Sequence, residues 1–296
     1  MVTIIKRKKG NGTYYYLKHN TGTDQVEAYL GTRIPHDIEQ RKKDFVLNYY
    51  RKKWLTTLDA IRKGFIQNRK RMPQSAIKEE LEELSIVFTY HTNRIEGSTL
   101  SLKDTFDLLL RGLTPLRKSH SDVIETERHK TVFSEMMTST RPLNVTTLLR
   151  WHKQIFGDTK QDHAGRFRSD FRVNVRVTNR SAVFPDYAKV PALMNDFFKW
   201  FNGAKIKTHP VELAALAHLK FVTIHPFIDG NGRISRLIMN DVLAKFGFPY
   251  FVVRYEGRFA YYRALERSQT EGNEMPFLQW FMKRYIESHY KHYARA

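Results

Sequence analysis

The sequence predicts a mainly α-helical protein, and three observations carry that expectation. From residue 36 onward, apolar residues recur at three- and four-residue intervals in one segment after another, the period of an amphipathic helix. The breaks Pro73, Thr114-Pro115, Arg141-Pro142 and Phe248-Pro249 fall at the seams between those segments. Strand-like alternation is confined to the first 35 residues.

Those 35 residues read as a small β appendage, with strands expected over Thr13–Leu17 and Val26–Leu30 and a turn at Asn20-Thr21-Gly22-Thr23. Tyr14 and Tyr16 share one face and Tyr15 takes the other. Beside the basic run Lys6–Lys9, these rings suit either base stacking or, the simpler reading, covering one side of a small sheet. Residues 36–72 then read as a long basic scaffold helix over Asp37–Asn68, with Phe45, Val46, Tyr49, Trp54 and Leu58 toward a partner.

Residues 73–296 form the remaining domain. Pro73 opens a helix whose stripe is Leu81, Leu84, Phe88, His91 and Ile95, ended by Gly97 as the residue beyond the cap. Glu96 stands at that C-terminus, where an anion opposes the helix dipole, so it needs a cationic partner or water. Further helices are expected over Leu102–Leu110, Ser121–Met137, Asn144–Ile155, Val190–Phe201, Pro210–Ile224, Arg258–Ser268 and Met275–Tyr290. Between them Asp158–Asp186 is a long arginine-rich non-helical stretch, which in a compact domain is functional or disordered.

Composition narrows the chemistry. A chain of 296 residues can bury a substantial core. The absence of cysteine removes disulfides, thiolate nucleophiles and cysteine-zinc sites together. No run of eighteen apolar residues suggests a membrane span. The basic Lys6–Lys9 run leads into polar Gly10–Thr13 without an apolar signal core, so a cytoplasmic location is expected. The formal charge is +20, and residues 1–75 hold 17 Lys+Arg against 6 Asp+Glu. That imbalance favours a nucleic acid or an acidic protein as partner of the N-terminal part, or simply a charge-rich surface.

The densest chemistry is the stretch from His225 through Pro226, Phe227, Ile228, Asp229, Gly230, Asn231, Gly232, Arg233, Ile234 and Ser235 to Arg236. It holds a proton acceptor, a hard carboxylate, a glycine turn and two arginines one helical turn apart. The turn opens a helix marked by Ile234, Leu237, Ile238, Val242 and Leu243, so its backbone N–H groups and dipole favour an anion. It lacks the Gly-Lys-Ser/Thr of a Walker A loop and the third glycine of a dinucleotide fingerprint. An EF-hand loop is excluded by Ile234 at the position that needs glycine.

The dodecamer resembles the Fic family signature, His-Pro-Phe-x-Asp-Gly-Asn-Gly-Arg-x-x-Arg, at every specified position. Thr92, Glu96 and Gly97 resemble that family's inhibitory motif, Ser/Thr-x-x-x-Glu-Gly/Asn. The resemblance implies a Fic-type helical bundle with a short β flap, and an activity that moves AMP from ATP to a Ser, Thr or Tyr hydroxyl of a target protein. It implies His225 as general base and Asp229 as the Mg²⁺ ligand. Gly230, Asn231 and Gly232 would form the anion hole, and Arg233 and Arg236 would hold the β- and γ-phosphates. Glu96 would inhibit by pairing with Arg236. Tyr261, from a segment resembling Tyr-Tyr-x-x-Leu, would contact the nucleotide. Gly165-Arg166-Phe167-Arg168 resembles the family's entry to the flap, placed around Asn179–Pro185, with Val183 and Phe184 as target contacts. Two alternatives stay open: removal of AMP by the same site, and a nucleic-acid-binding regulator on a vestigial fold of this type. A homodimer is a further expectation.

Overall fold

A computed structural model describes residues 2–22, 24–175 and 183–294. The chain divides into two compact units, residues 1–59 and 60–296. Helix α1 (Ile38–Arg71) runs through the boundary.

In the first unit, β1 (Val2–Lys9), β2 (Gly12–Asn20) and β3 (Gln25–Gly31) form an antiparallel sheet in the order β1-β2-β3. The two expected strands are present, and β1 is a third. The basic run at its end obscures the β-branched residues Val2, Thr3, Ile4 and Ile5 that favour a strand. It pairs with β2 from Val2↔His19 to Lys9↔Gly12, closing on a two-residue turn in which Gly10 takes φ 59°. Alternation sends Leu17 and His19 to one face, where both are buried and His19 meets the rings of Tyr49 and Tyr50 on the first half of α1. Tyr14 and Tyr16 lie on the opposite face. Thr23, part of the expected turn, lies outside the described residues.

The second unit is helical throughout its described elements. After the end of α1 come α2 (Gln74–Ile95), α3 (Leu102–Arg111), α4 (His120–Thr138) and α5 (Val145–Phe156). Then follow α6 (Val190–Lys207), α7 (Pro210–Ile224), α8 (Asn231–Lys245), α9 (Arg258–Thr270) and α10 (Met275–Tyr293). Each expected helix is found, most of them extended by a turn or less. At the centre stand α7 and α8, each buried on nearly all sides, so the hairpin they form is the spine of the core. Between α5 and α6 the described residues form no α-helix or strand, only 3₁₀ turns at Arg168–Phe171 and Tyr187–Lys189. No helix among the described residues is long and apolar enough to cross a membrane.

Three histidines are wholly buried in this core: His129 on α4, His152 on α5 and His218 on α7. Burial holds His152 down at about 4 and the other two well below their ordinary value, so all three are neutral at pH 7. Close approach is needed elsewhere: a Cβ at Gly64 would lie 1.8 Å from the carbonyl oxygen of Tyr293.

Two outcomes are expected. Gly64→Ala should cost about 1–3 kcal/mol, because α1 must move off the end of α10, and urea unfolding will measure it. Acid should also erode stability. Between pH about 6.5 and 4 the unfolded histidines bind protons that the folded ones refuse, so stability falls as pH falls, by up to about 1.4 kcal/mol per pH unit for each. Calorimetric melts across that range should show the loss, and His218→Phe should lessen it.

Candidate active site

The loop joining α7 to α8 is shaped by its own sequence. Pro226 disfavours helical backbone at His225, which instead caps α7 with φ 53° and ψ 59°, a left-handed conformation uncommon for a non-glycine residue. The imidazole Nδ1 is 3.1 Å from the carbonyl of Val222. A carbonyl only accepts, so Nδ1 carries the proton and the lone pair of the neutral ring is on Nε2. The amide of Asn231 closes the loop: its Oδ1 accepts from the Phe227 N–H (2.9 Å) and its Nδ2 donates to the Phe227 carbonyl (2.8 Å). Gly230 is left-handed at φ 79°, and a Cβ there would strike the ring of Phe156 at 2.4 Å. Only glycine meets both demands.

Neighbouring elements hold this loop from below. His152 stacks on Phe227 with ring centroids 3.9 Å apart. Its Nδ1 accepts from the Gly165 N–H (2.9 Å), which leaves Nε2–H to donate to the carbonyl of Asp229 (3.0 Å). Arg168, fully buried, donates from Nε to the carbonyl of His225 (2.8 Å), and its backbone N–H donates to the carbonyl of Pro226 (2.8 Å). The same guanidinium reaches Val173 and Asn174 on one side and the carbonyl of Pro185 on the other. It therefore joins the histidine loop to both ends of the 173–185 segment.

At the start of α8 the two arginines diverge. Arg236 is 1% exposed and pairs with Glu96 at 2.6 Å. It also donates to the Thr92 hydroxyl and carbonyl (3.3 and 3.2 Å) and to the Tyr261 hydroxyl (3.3 Å). Burial opposes its charge, but Glu96 and then Tyr261 outweigh that and hold the guanidinium above its ordinary value. Tyr261 is fixed in turn by His218 (3.0 Å). The Glu96 carboxylate rests against Gly232, where a Cβ would come within 2.1 Å of its Oε1. The Glu96 carboxylate thus occupies the first turn of α8, where a helix best accepts negative charge.

Arg233 turns the other way, to Glu125 of α4 at 2.5 Å and Asp229 at 3.2 Å. Lys160 completes this cluster, with Nζ 2.5 Å from Glu125 and 2.9 Å from Asp229. Both cations lie over the ring of Phe156. Burial would raise the Asp229 carboxyl, but Arg233 and Lys160 outweigh it and hold the group at about 2.

The residues singled out in the sequence mostly converge. His225, Asp229, Gly230, Asn231 and Gly232 line one cavity of about 200 Å³, closed on its far side by Glu96, Arg236 and Tyr261. Arg233 belongs to the adjoining cluster through Asp229. Asn231 serves through its backbone position, since both ends of its amide brace Phe227. The Tyr261 hydroxyl is engaged by Arg236 and His218, which makes the residue a support for the arginine. Phe184 stacks on the His225 ring, centroids 3.8 Å apart, whereas Val183 is 92% exposed. Asn179, the expected start of the flap, lies outside the described residues. Glu125, His152 and Lys160 were not identifiable from the sequence, because none stands in a local pattern. Among the described residues no three His, Asp or Glu side chains gather as a metal cage.

Residues 142–243 match the Fic/DOC family. Protein adenylyltransferase Fic of Nematostella vectensis is 32% identical over 209 residues, covering 69% of this chain and 48% of that protein. The protein of the same name from Drosophila erecta is 30% identical over 278 residues, covering 90% of this chain and 54% of that one. The chain thus spans about half the length of the curated relatives it matches. Among solved structures, a Fic-1 fragment from Caenorhabditis elegans superposes with TM-score 0.71 at 28% identity, covering 86% of this chain and 74% of that one. A Fic-domain signaling protein from Bacteroides thetaiotaomicron gives TM-score 0.71 at 26% identity, covering 78% and 93%. The unbroken dodecamer, the hairpin that carries it and these likenesses agree: the chain belongs to the Fic/DOC family.

Proposed function

We propose that the protein transfers AMP from ATP to a hydroxyl side chain of a target protein, and that Glu96 restrains it by holding Arg236. The observation that carries this reading is the position of the Glu96 carboxylate. It lies on the first turn of α8, against Gly232 and bonded to a buried arginine, in a cavity that also contains His225. An acidic side chain there mimics a phosphate. The relatives named protein adenylyltransferases support ATP as the donor.

The chemistry follows from the residues present. His225 Nε2, holding the lone pair, removes the proton of the target hydroxyl as its oxygen attacks the α-phosphorus. A bond forms from that oxygen to the α-phosphorus, the bond from phosphorus to the bridging oxygen breaks, and pyrophosphate leaves with the electron pair. The N–H groups opening α8 face the α-phosphate as charge builds on it. Arg233 neutralises the departing diphosphate end, and Arg236 holds the terminal phosphate once Glu96 has withdrawn.

Asp229 suits a Mg²⁺ ion that arrives with the phosphates. It is one hard carboxylate on the cavity wall, kept ionised by its neighbours, and Mg²⁺ needs few protein ligands when phosphates and waters supply the rest. Bound there, the ion would neutralise phosphate charge. Phe184, stacked on His225, is placed to guide the incoming hydroxyl segment.

Glu96→Gly should raise labelling from α-³²P-ATP, of the protein itself or of a lysate, by about 10- to 100-fold, the worth of one hydrogen bond to a charged group. The added substitution His225→Ala should abolish the signal. Equal labelling by all three proteins would exclude both roles. Arg168→Lys keeps the charge but loses the fork that joins the His225 loop to the 173–185 segment. In the Glu96→Gly background it should lower kcat by about 100-fold with little change in the KM for ATP, as a displaced base would.

A further inference from the structure

The N-terminal unit has a surface that the proposed AMP transfer does not use. Residues 1–59 carry 12 Lys+Arg against 6 Asp+Glu. Within them the sheet has two unlike faces. One is the packed face, where Leu17 is 2% and His19 6% exposed beneath the first half of α1. The other carries Tyr14 and Tyr16 from β2, Tyr29 from β3 and Arg7 from β1, brought together by the registers Arg7↔Tyr14 and Tyr16↔Tyr29. These tyrosines therefore cover one side of the sheet, as the simpler sequence reading had it, and that side is the open one.

The open face is built as a set of platforms. The rings of Tyr16 and Tyr29 are 5.2 Å apart and those of Tyr14 and Tyr29 are 6.3 Å apart, with Tyr29 56% exposed. The Arg7 guanidinium lies over Tyr16 at 5.0 Å. Lys8 and Lys9 join these residues around a shallow concavity of about 540 Å³. Glu27 offsets one cation by pairing with Arg7 at 2.8 Å.

Charge alone would suit any polyanion. The aromatic surfaces narrow the choice, because a carboxylate-rich peptide gains little from exposed ring faces. A single-stranded nucleic acid gains at both ends: its bases stack on rings of any sequence and its phosphates meet the lysines. We infer that the Tyr14–Tyr16–Tyr29 face, edged by Arg7, Lys8 and Lys9, binds single-stranded nucleic acid without strong sequence preference. This stands independently of the catalytic reading, since every residue it uses lies in the first unit.

The test uses the whole chain and fluorescein-labelled poly-U and poly-dT strands of about 16 nucleotides, followed by anisotropy at several salt concentrations. Binding is expected to both strands, weaker for a duplex of the same length. Tyr29→Ala should weaken it about tenfold, while Tyr29→Phe, which keeps the ring, should leave it nearly unchanged. Lys9→Gln should lower the salt slope by about 0.7. Tyr29 is largely exposed, and a melting curve matching the parent would show the Ala variant folded. No binding at low salt would overturn the proposal. Affinity unaltered by Tyr29→Ala, or polyglutamate competing as well as the strands, would overturn it too and mark the face as a site for polyanions at large.

Discussion

A guanidinium removed from water requires an anion, and that requirement at Arg236 orders the rest of the site. At 1% exposure it has Glu96, two oxygens of Thr92 and the hydroxyl of Tyr261 around it. Leaving such a charge unpaired would cost several kcal/mol, so the cavity is never neutral toward anions: something acidic must occupy it. In this structure that group is Glu96, at the C-terminal end of α2. The C-terminal end of one helix, itself the negative pole of a dipole, faces the positive pole of α8, and Glu96 lies where the two meet. The position that is unfavourable for Glu96 within α2 is favourable across the gap.

The other arginine is treated differently. Arg233 is held between Glu125 and Asp229, and Lys160 bridges the same two carboxylates, so two cations balance two anions. Helix α4 therefore reaches both halves of the site: Glu125 meets Arg233, while Thr126 accepts from Asn93 of α2 and His129 bonds Thr89 of α2. The hairpin of α7 and α8 and the helix that ends at Glu96 share one support. Below them His152 and Arg168 hold the loop's carbonyls, so the strain of a left-handed His225 is borne by buried partners.

How much of this was legible depended on whether a residue's role is local. The helices declared themselves because each pairs an apolar period with a proline or glycine at its end. The dodecamer did so because the turn, the histidine, the carboxylate and both arginines are contiguous. Glu96 was readable as an anomaly, an acid where its own helix repels it. Glu125 was not: within Asp122-Val123-Ile124-Glu125-Thr126-Glu127-Arg128 it resembles any charge of an exposed helix face, and only the folded chain sets it against Arg233. Lys160 and His152 were hidden for the same reason. β1 was obscured by its own composition, since four consecutive basic residues read as a solvated run until β2 supplies the pairing.

The depth at which Arg236 lies has a further bearing on how the protein meets its medium. Mobile ions approach a pair with a 1% exposed member only poorly, so raising the ionic strength should scarcely loosen the contact with Glu96. The cations around Tyr16 are open to water, Arg7 being 54% exposed, and their reach shrinks to about 10 Å in 0.1 M salt. One chain thus holds two electrostatic devices with opposite tolerance of electrolyte, a sealed one in its helical unit and an open one on its sheet.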